Sequence, residues 1–326
     1  PWTRRLMDAS NRRQAVSDLR AIVEREGYDI VHFHTPIASF FGRFALRKAR
    51  RIGKLSVVYT AHGFHFHEYG SPLRNRVFRY AEKTAGKWTD RLVTINRDDH
   101  QAALHHQLVP PDRLSLIPSI GIDTSSWSPD SVDPAAVDRV RREMGIRDGE
   151  SLVLMVASHQ PEKHHDVAIR SFDRLADSTV HLAFAGGDGP AIIGNRELAA
   201  SVGVADRIHF LGSRCDIPAL MSASTMTLLT SSREGMSRAT MESMSLGVPI
   251  VGARIRGVRD LVGDDECGIL VNVGDELGFA QAMRRLLDSR DLCERLGAEG
   301  RRRILAYDVH LVMRSYEQRV YALALG

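Results

Sequence analysis

Glu234 and Glu242 stand eight positions apart in the segment Ser232-Arg-Glu-Gly-Met-Ser-Arg-Ala-Thr-Met-Glu242. Gly235 follows the first, and Leu246-Gly247-Val248-Pro249 follows the second. Two carboxylates this close to a turn and a helix start have a definite chemical meaning. The N–H groups at a helix N-terminus favour phosphate, while the carboxylates suit hydroxyl groups. Together they suit a ligand that is anionic at one point and rich in hydroxyls elsewhere, and a nucleotide sugar is such a ligand. The alternative is a solvated helix that carries two glutamates by chance. Gly235, Gly247 and Pro249 at these offsets argue against it.

The elements that must position this pair are legible on either side. Met226–Thr230 is a short apolar run that reads as a buried strand, and Val248–Gly252 reads as the next. The order is strand, turn, helix, strand. It places Glu234 in the turn and Glu242 a little over two turns into the helix. In an open parallel sheet that turn lies at the carboxyl edge of the strands, where ligands bind.

Three further segments carry candidate chemistry. Ser158-His-Gln-Pro-Glu-Lys163 follows the apolar run Leu152–Ala157 and precedes a helix pattern. A lysine there can neutralise a diphosphate as a point charge, or can be an ordinary solvated surface residue. Gly186-Gly-Asp-Gly189-Pro190 follows the run His181–Ala185, and such small residues let backbone approach a ligand. The histidines are densest in His32-Phe-His34 and in Ala61-His62-Gly63-Phe64-His65-Phe66-His67. Alternating histidines point to one side of a strand and could ligate a metal. No acidic or cysteine ligand accompanies them, so packing and loop capping remain the plainer reading.

Composition bounds the rest. The 326 residues suffice for two domains, and 43% hydrophobic content gives each a core. Cys215, Cys267 and Cys293 are scattered, which argues against a disulfide framework or zinc finger and fits a reducing compartment. No apolar run approaches the roughly 20 residues that span a bilayer. Net charge is +4, yet residues 1–118 hold 20 Lys and Arg against 11 Asp and Glu. A basic first part suits an anionic membrane or acceptor; an arginine-rich composition with solvated faces is the other reading. Nucleic acid is disfavoured because no aromatic-basic interleaving occurs.

Strand and helix patterns alternate along the chain, as parallel βαβ units require. Strands are expected at 29–34, 55–60, 91–95 and 114–117, then at 152–157, 181–185, 208–211, 226–230 and 248–252. Residues 118–149 are loop-rich and include a short helix near 135–144. Leu277–Leu287 and Val309–Leu325 read as helices. The chain opens with Pro1 and a helix pattern on Ala15, Leu19, Ile22 and Val23, whereas a doubly wound domain ordinarily opens on a strand. An N-terminally shortened first domain is therefore expected.

From about residue 15 onward the chain resembles the retaining glycosyltransferases of family 4, which have the GT-B fold. Glu234 to Glu242 carries the resemblance. His34-Thr-Pro36, Thr60-Ala-His-Gly-Phe-His65, Ile95-Asn96 and Ile120-Gly-Ile-Asp123 place it near the branch that assembles exopolysaccharides and polyprenyl-linked glycans. The resemblance implies two doubly wound Rossmann-like α/β domains facing a cleft, the first lacking its initial strands. It implies an acceptor-side domain at 1–125, a nucleotide-sugar domain at 126–308 and a helix at 309–326 crossing back to the first.

By the same resemblance Lys163 holds the diphosphate, Glu242 the ribose, and Glu234 with Gly235, Met236 and Ser237 the transferred sugar. Gly187 and Gly189 form the G-x-G-P turn, and Arg214 lies in the stretch lining the base pocket. His62 is the active-site histidine. Ser158 is a departure, since relatives commonly carry a charged residue there. No bound metal or other cofactor is implied. The implied reaction moves a hexosyl or N-acetylhexosaminyl group from a nucleotide sugar, with UDP the favoured carrier, to a saccharide or polyprenyl-linked acceptor with retention. The implied setting is cytoplasmic, with peripheral contact at an anionic membrane surface admitted. Two rivals stay open: a nucleotide-sugar epimerase of the same fold, and a donor-binding fragment without transfer activity. A dehydrogenase is disfavoured because no G-x-G-x-x-G follows a strand with the acidic residue it needs.

Overall fold

The computed structural model describes residues 9–68, 70–263 and 265–325. The chain divides into two compact units, Pro1–Ile120 with His310–Gly326, and Gly121–Val309.

The first unit holds a four-stranded parallel sheet in the order β1-β2-β3-β4, formed by Ile30–Phe33, Ser56–Ala61, Arg91–Thr94 and Leu114–Leu116. Helices α1 (Ala9–Glu26), α2 (Pro36–Arg51), α3 (Pro72–Gly86) and α4 (Arg97–His105) alternate with the strands. Their starts follow local chemistry. Pro36 and Pro72 sit in first turns, where their missing N–H groups are no loss. Ser71 and Asn96 accept backbone N–H groups as N-caps. The C-terminal segment packs on this sheet, where Val312 and Val320 join Val58, Val93 and Ile117 in one cluster.

The second unit holds six parallel strands, β5 (Ser151–Val156), β6 (Val180–Ala185), β7 (Ile208–Gly212), β8 (Met226–Leu229), β9 (Ile250–Ala253) and β10 (Gly268–Val271). Their order is β10-β9-β8-β5-β6-β7. Buried on both faces, β6 and β8 are runs of apolar or small residues interrupted only by His181 at the second position of β6. The chain lays β6 and β7 on one side of β5, then returns to its other side for β8, β9 and β10. That reversal between β5 and β8 is the topological switch point of a doubly wound sheet. The intervening helices are α5 (Pro134–Glu143), α6 (His165–Leu175), α7 (Ile192–Ser201), α8 (Ile217–Ser222), α9 (Arg238–Ser245), α10 (Val258–Val262), α11 (Glu276–Leu287) and α12 (Arg290–Ile304).

The structure departs from the sequence expectations in four places. Strand β10 and helices α10 and α12 were not anticipated. The strand expected at 248–252 begins only at Ile250, because Pro249 has no N–H to donate to a ladder. The helix expected at Val309–Leu325 is interrupted: α13 (Val309–Tyr316) passes into a π-helical turn, Glu317–Tyr321, before α14 (Ala322–Leu325). Lastly, α9 begins at Arg238, so Glu242 lies only about one turn into it. The connection from β8 runs on to the N-cap Ser237, whose side chain accepts the Thr240 N–H.

Candidate functional site

In the second unit, the connections leaving the carboxyl ends of β5, β6 and β8 are tied into one framework. After β5, the chain makes a short 3-10 turn over Pro161–Lys163, and left-handed His164 admits it to α6. Thr230, at the end of β8, donates through its hydroxyl to the carbonyls of Lys163 (2.9 Å) and His164 (2.8 Å). The Ser232 N–H donates to the Glu162 carbonyl at 3.0 Å. The turn after β6 closes on the same loop, with the His159 N–H donating to the Gly187 carbonyl and the Ala191 N–H to the His159 carbonyl. Two glycines are required here by space. A Cβ at Gly186 would stand 2.1 Å from the Ala157 carbonyl oxygen, and one at Gly189 would stand 2.2 Å from that of His159.

On this framework Lys163 and Glu234 meet across the switch point, Nζ to Oε1 at 2.6 Å, with side chains 23% and 14% exposed. A cation and a carboxylate, each still reachable from solvent, thus stand beside the N-terminus of α9. Glu242, inside that helix, is buried and accepts from Arg238 Nε at 2.8 Å. Burial pushes its carboxyl above the usual range, and the Arg238 contact offsets only part of that. A buried carboxylate with one partner retains capacity to accept further hydrogen bonds.

The structure brings Lys163, Glu234, Gly235, Met236, Ser237 and Glu242 into one neighbourhood. Ser158, Gly187 and Gly189 join it through the loop contacts above, and the Ser158 carbonyl accepts the Gln160 N–H at 2.7 Å. Arg214 is engaged differently. Its guanidinium donates to both oxygens of Glu143 on α5 (2.6 and 2.9 Å) and to both of Asp216 (2.9 and 2.8 Å). It thereby braces the loop after β7 with four of its five N–H donors occupied.

Several contributors escaped sequence reasoning. Arg256 Nε donates to the Glu234 carbonyl at 3.4 Å. Gly257 backs the Glu234 turn so closely that a Cβ would stand 2.2 Å from the Gly235 carbonyl oxygen, and its φ is +76°. The signal in the sequence was a glycine four residues past the end of β9, opening the next helix.

His62 belongs to the first unit and heads a histidine cluster there. Its Nε2 is 3.0 Å from His34 Nδ1. The His34 ring lies 4.1 Å, centre to centre, from that of His32. His32 is held on both sides, by Tyr321 Oη at Nδ1 (2.9 Å) and Thr60 Oγ1 at Nε2 (2.8 Å), and Thr60 also contacts Tyr316 Oη (3.0 Å). The π-helical turn accounts for the tyrosine pair. An i→i+5 register sets residues five apart on one side, and the two rings are 6.1 Å apart. Burial lowers the pKa of all three histidines, and that of His32 falls to about 4, with His34 and His62 adding to the effect. The cluster is therefore neutral at neutral pH, and a His34–His62 hydrogen bond fixes one tautomer against the other. Among the described residues no group of three or more His, Cys, Asp or Glu is placed to hold a metal ion. Also among them, no helix is long and apolar enough to cross a membrane.

Comparison with known proteins agrees with this geometry. The family model "Glycosyl transferases group 1" matches residues 137–303, and "Glycosyltransferase Family 4" matches residues 2–126. A Bacillus subtilis protein described as putative glycosyltransferase EpsD is 33% identical over 292 residues, covering 89% of this chain and 75% of its own. The Escherichia coli UDP-Gal:alpha-D-GlcNAc-diphosphoundecaprenol alpha-1,3-galactosyltransferase is 28% identical over 287 residues, covering 86% and 71%. Among solved structures, Anabaena Alr3699/HepE in complex with UDP-glucose superimposes with a TM-score of 0.81 at 20% identity, over 93% of this chain and 82% of that one. The two parallel α/β units are thus those of the GT-B fold, and the chain is an enzyme that transfers glycosyl groups. The protein belongs to the group 1, family 4 glycosyltransferases.

Proposed function

We propose that the chain transfers a hexosyl or N-acetylhexosaminyl group from a UDP-sugar to a saccharide, free or carried on a polyprenyl diphosphate, with retention at the anomeric carbon. The observation that carries this reading is the Lys163–Glu234 pair at the switch point, beside the start of α9 and the buried Glu242. In this reading Lys163 neutralises the diphosphate as negative charge develops on it. Glu242 accepts the ribose hydroxyls. Glu234 exchanges Lys163 for hydroxyls of the transferred sugar, and the backbone of Gly235, Met236 and Ser237 lines that pocket. His62, the active-site histidine implied by the family resemblance, is kept neutral by burial and held in one tautomer by His34. The departing phosphate is the base for the incoming hydroxyl, and no metal takes part. The names of the relatives support a UDP-linked donor and a diphosphoundecaprenol-linked acceptor.

The test is to supply UDP-hexoses and UDP-N-acetylhexosamines with a saccharide acceptor and a chelator, measuring UDP release and product configuration by NMR. Transfer with an axial product from an axial donor, undiminished by the chelator, is the expected result. An inverted product or a requirement for added metal refutes the mechanism. Interconversion of the sugars without transfer supports an epimerase instead.

A further inference from the structure

Helix α3 presents a face that nothing in the donor chemistry uses. Leu73, Val77 and Tyr80 follow the i, i+4, i+7 spacing of one helical stripe, and they are 73%, 58% and 76% exposed. Three large apolar side chains in a row on a surface helix mark a contact site rather than chance. Their surroundings are cationic. From Ser71 to Trp88 the sequence holds Arg74, Arg76, Arg79, Lys83 and Lys87 against the single acid Glu82. Glu82 is turned inward and paired with the buried Arg43 at 2.9 Å. Arg76, Lys83 and Lys87 have no acidic partner among the described residues, and in helical projection they flank the stripe on one side, with Arg74 on the other. Tyr80 adds a ring with a polar tip, which suits a water–lipid boundary.

We infer that the Leu73–Val77–Tyr80 face of α3 is a docking surface for an anionic phospholipid bilayer. The apolar stripe enters the headgroup boundary while Arg74, Arg76, Lys83 and Lys87 sit over lipid phosphates. Charge complementarity selects this occupant: a second copy of the same chain would bring like charges together on both sides. The net positive charge of residues 1–118 acts in the same direction. This face belongs to the first unit and the proposed donor site is built from residues of the second, so vesicle binding reports on one and UDP titration on the other.

The experiment is flotation of the full chain with phosphatidylcholine vesicles, with and without phosphatidylglycerol, at low and high salt. Two triple variants accompany it: Leu73→Ser/Val77→Ser/Tyr80→Ser and Arg76→Gln/Lys83→Gln/Lys87→Gln. Binding is expected to need phosphatidylglycerol, to weaken with salt, and to fall about fivefold for each charge removed. The apolar variant is expected to lose binding as well. Unchanged UDP affinity in both variants shows that they fold. Absence of binding to phosphatidylglycerol vesicles overturns the inference, as does unchanged binding by both variants. A loss of self-association in the apolar variant with vesicle binding intact assigns the face to a contact between copies instead.

Discussion

Replacing Lys163 by Met keeps the apolar stem and removes the charge, leaving Glu234 without its cation. The two charged atoms are 2.6 Å apart. At an effective dielectric constant of about 20 their attraction is roughly 6 kcal/mol, but drawing both ions away from water costs several kcal/mol each. Exposed pairs measure about 0.2–1 kcal/mol, and breaking a buried pair costs about 3–5 kcal/mol. With side chains 23% and 14% exposed, this pair lies between those limits. A coupling of about 2 kcal/mol is expected from a urea-denaturation cycle of Lys163→Met, Glu234→Gln and the double variant. The same cycle on UDP binding is more discriminating. Lys163→Met is expected to weaken UDP by about 1.5–3 kcal/mol, as for a lost hydrogen bond to a charged group. Glu234→Gln releases the ammonium from its carboxylate, so UDP binding is retained or tightened while sugar transfer falls. If both substitutions weaken UDP equally, or if the stability coupling is indistinguishable from zero, the competition between carboxylate and diphosphate for Lys163 does not exist.

Three further outcomes follow from the same geometry. Gly257→Ala places a Cβ 2.2 Å from the Gly235 carbonyl oxygen at a φ of +76°. It is expected to cost at least roughly 1–3 kcal/mol and to impair transfer, whereas Gly194→Ala, in open space on α7, gains about 0.5–1 kcal/mol; urea midpoints and turnover check both. Burial raises the Glu242 carboxyl, so folding favours its protonated form, and stability is lost as pH rises through the raised value. Glu242→Gln is therefore more stable than the parent at pH 7, with the advantage vanishing below the ordinary carboxyl range; equal melting temperatures at pH 7 contradict this. His32 is held near a pKa of about 4, so folding favours its neutral form and stability is lost as pH falls from about 6.5 towards 4. His32→Asn is expected to flatten that acid limb by on the order of 1–2 kcal/mol, which thermal melts from pH 7 to 4 measure.

The sequence made legible whatever depends on local pattern. Buried parallel strands have no polar face, so Leu152–Ala157 and His181–Ala185 announced β5 and β6 within a residue or two. The Glu234–Glu242 spacing showed through the turn chemistry around it. What stayed hidden depends on distant neighbours. Strand β10 is four residues long and follows an acidic turn. Helix α12 carries Gly297 and Gly300, which lower helix propensity. Packing demands the first of them, since a Cβ at Gly297 would stand 2.0 Å from the Gly247 carbonyl oxygen. The Lys163–Glu234 pair joins residues 71 positions apart, and the Arg214 bridge to Glu143 spans the same separation. The link from His32 to Tyr321 spans 289 positions and needs a π-helical turn. No periodicity encodes such pairings.

The central claim is that the connections after β5 and β8 form a UDP-sugar site with Glu242 as its ribose acceptor. Calorimetric titration of the chain with UDP, beside Glu242→Ala, tests it most directly. Micromolar to millimolar binding is predicted, roughly 4–8 kcal/mol, weakened by the substitution by about 1–3 kcal/mol. If UDP binds the variant as tightly as the parent, or binds neither, Glu242 is not a ribose contact and the assignment of the donor site fails.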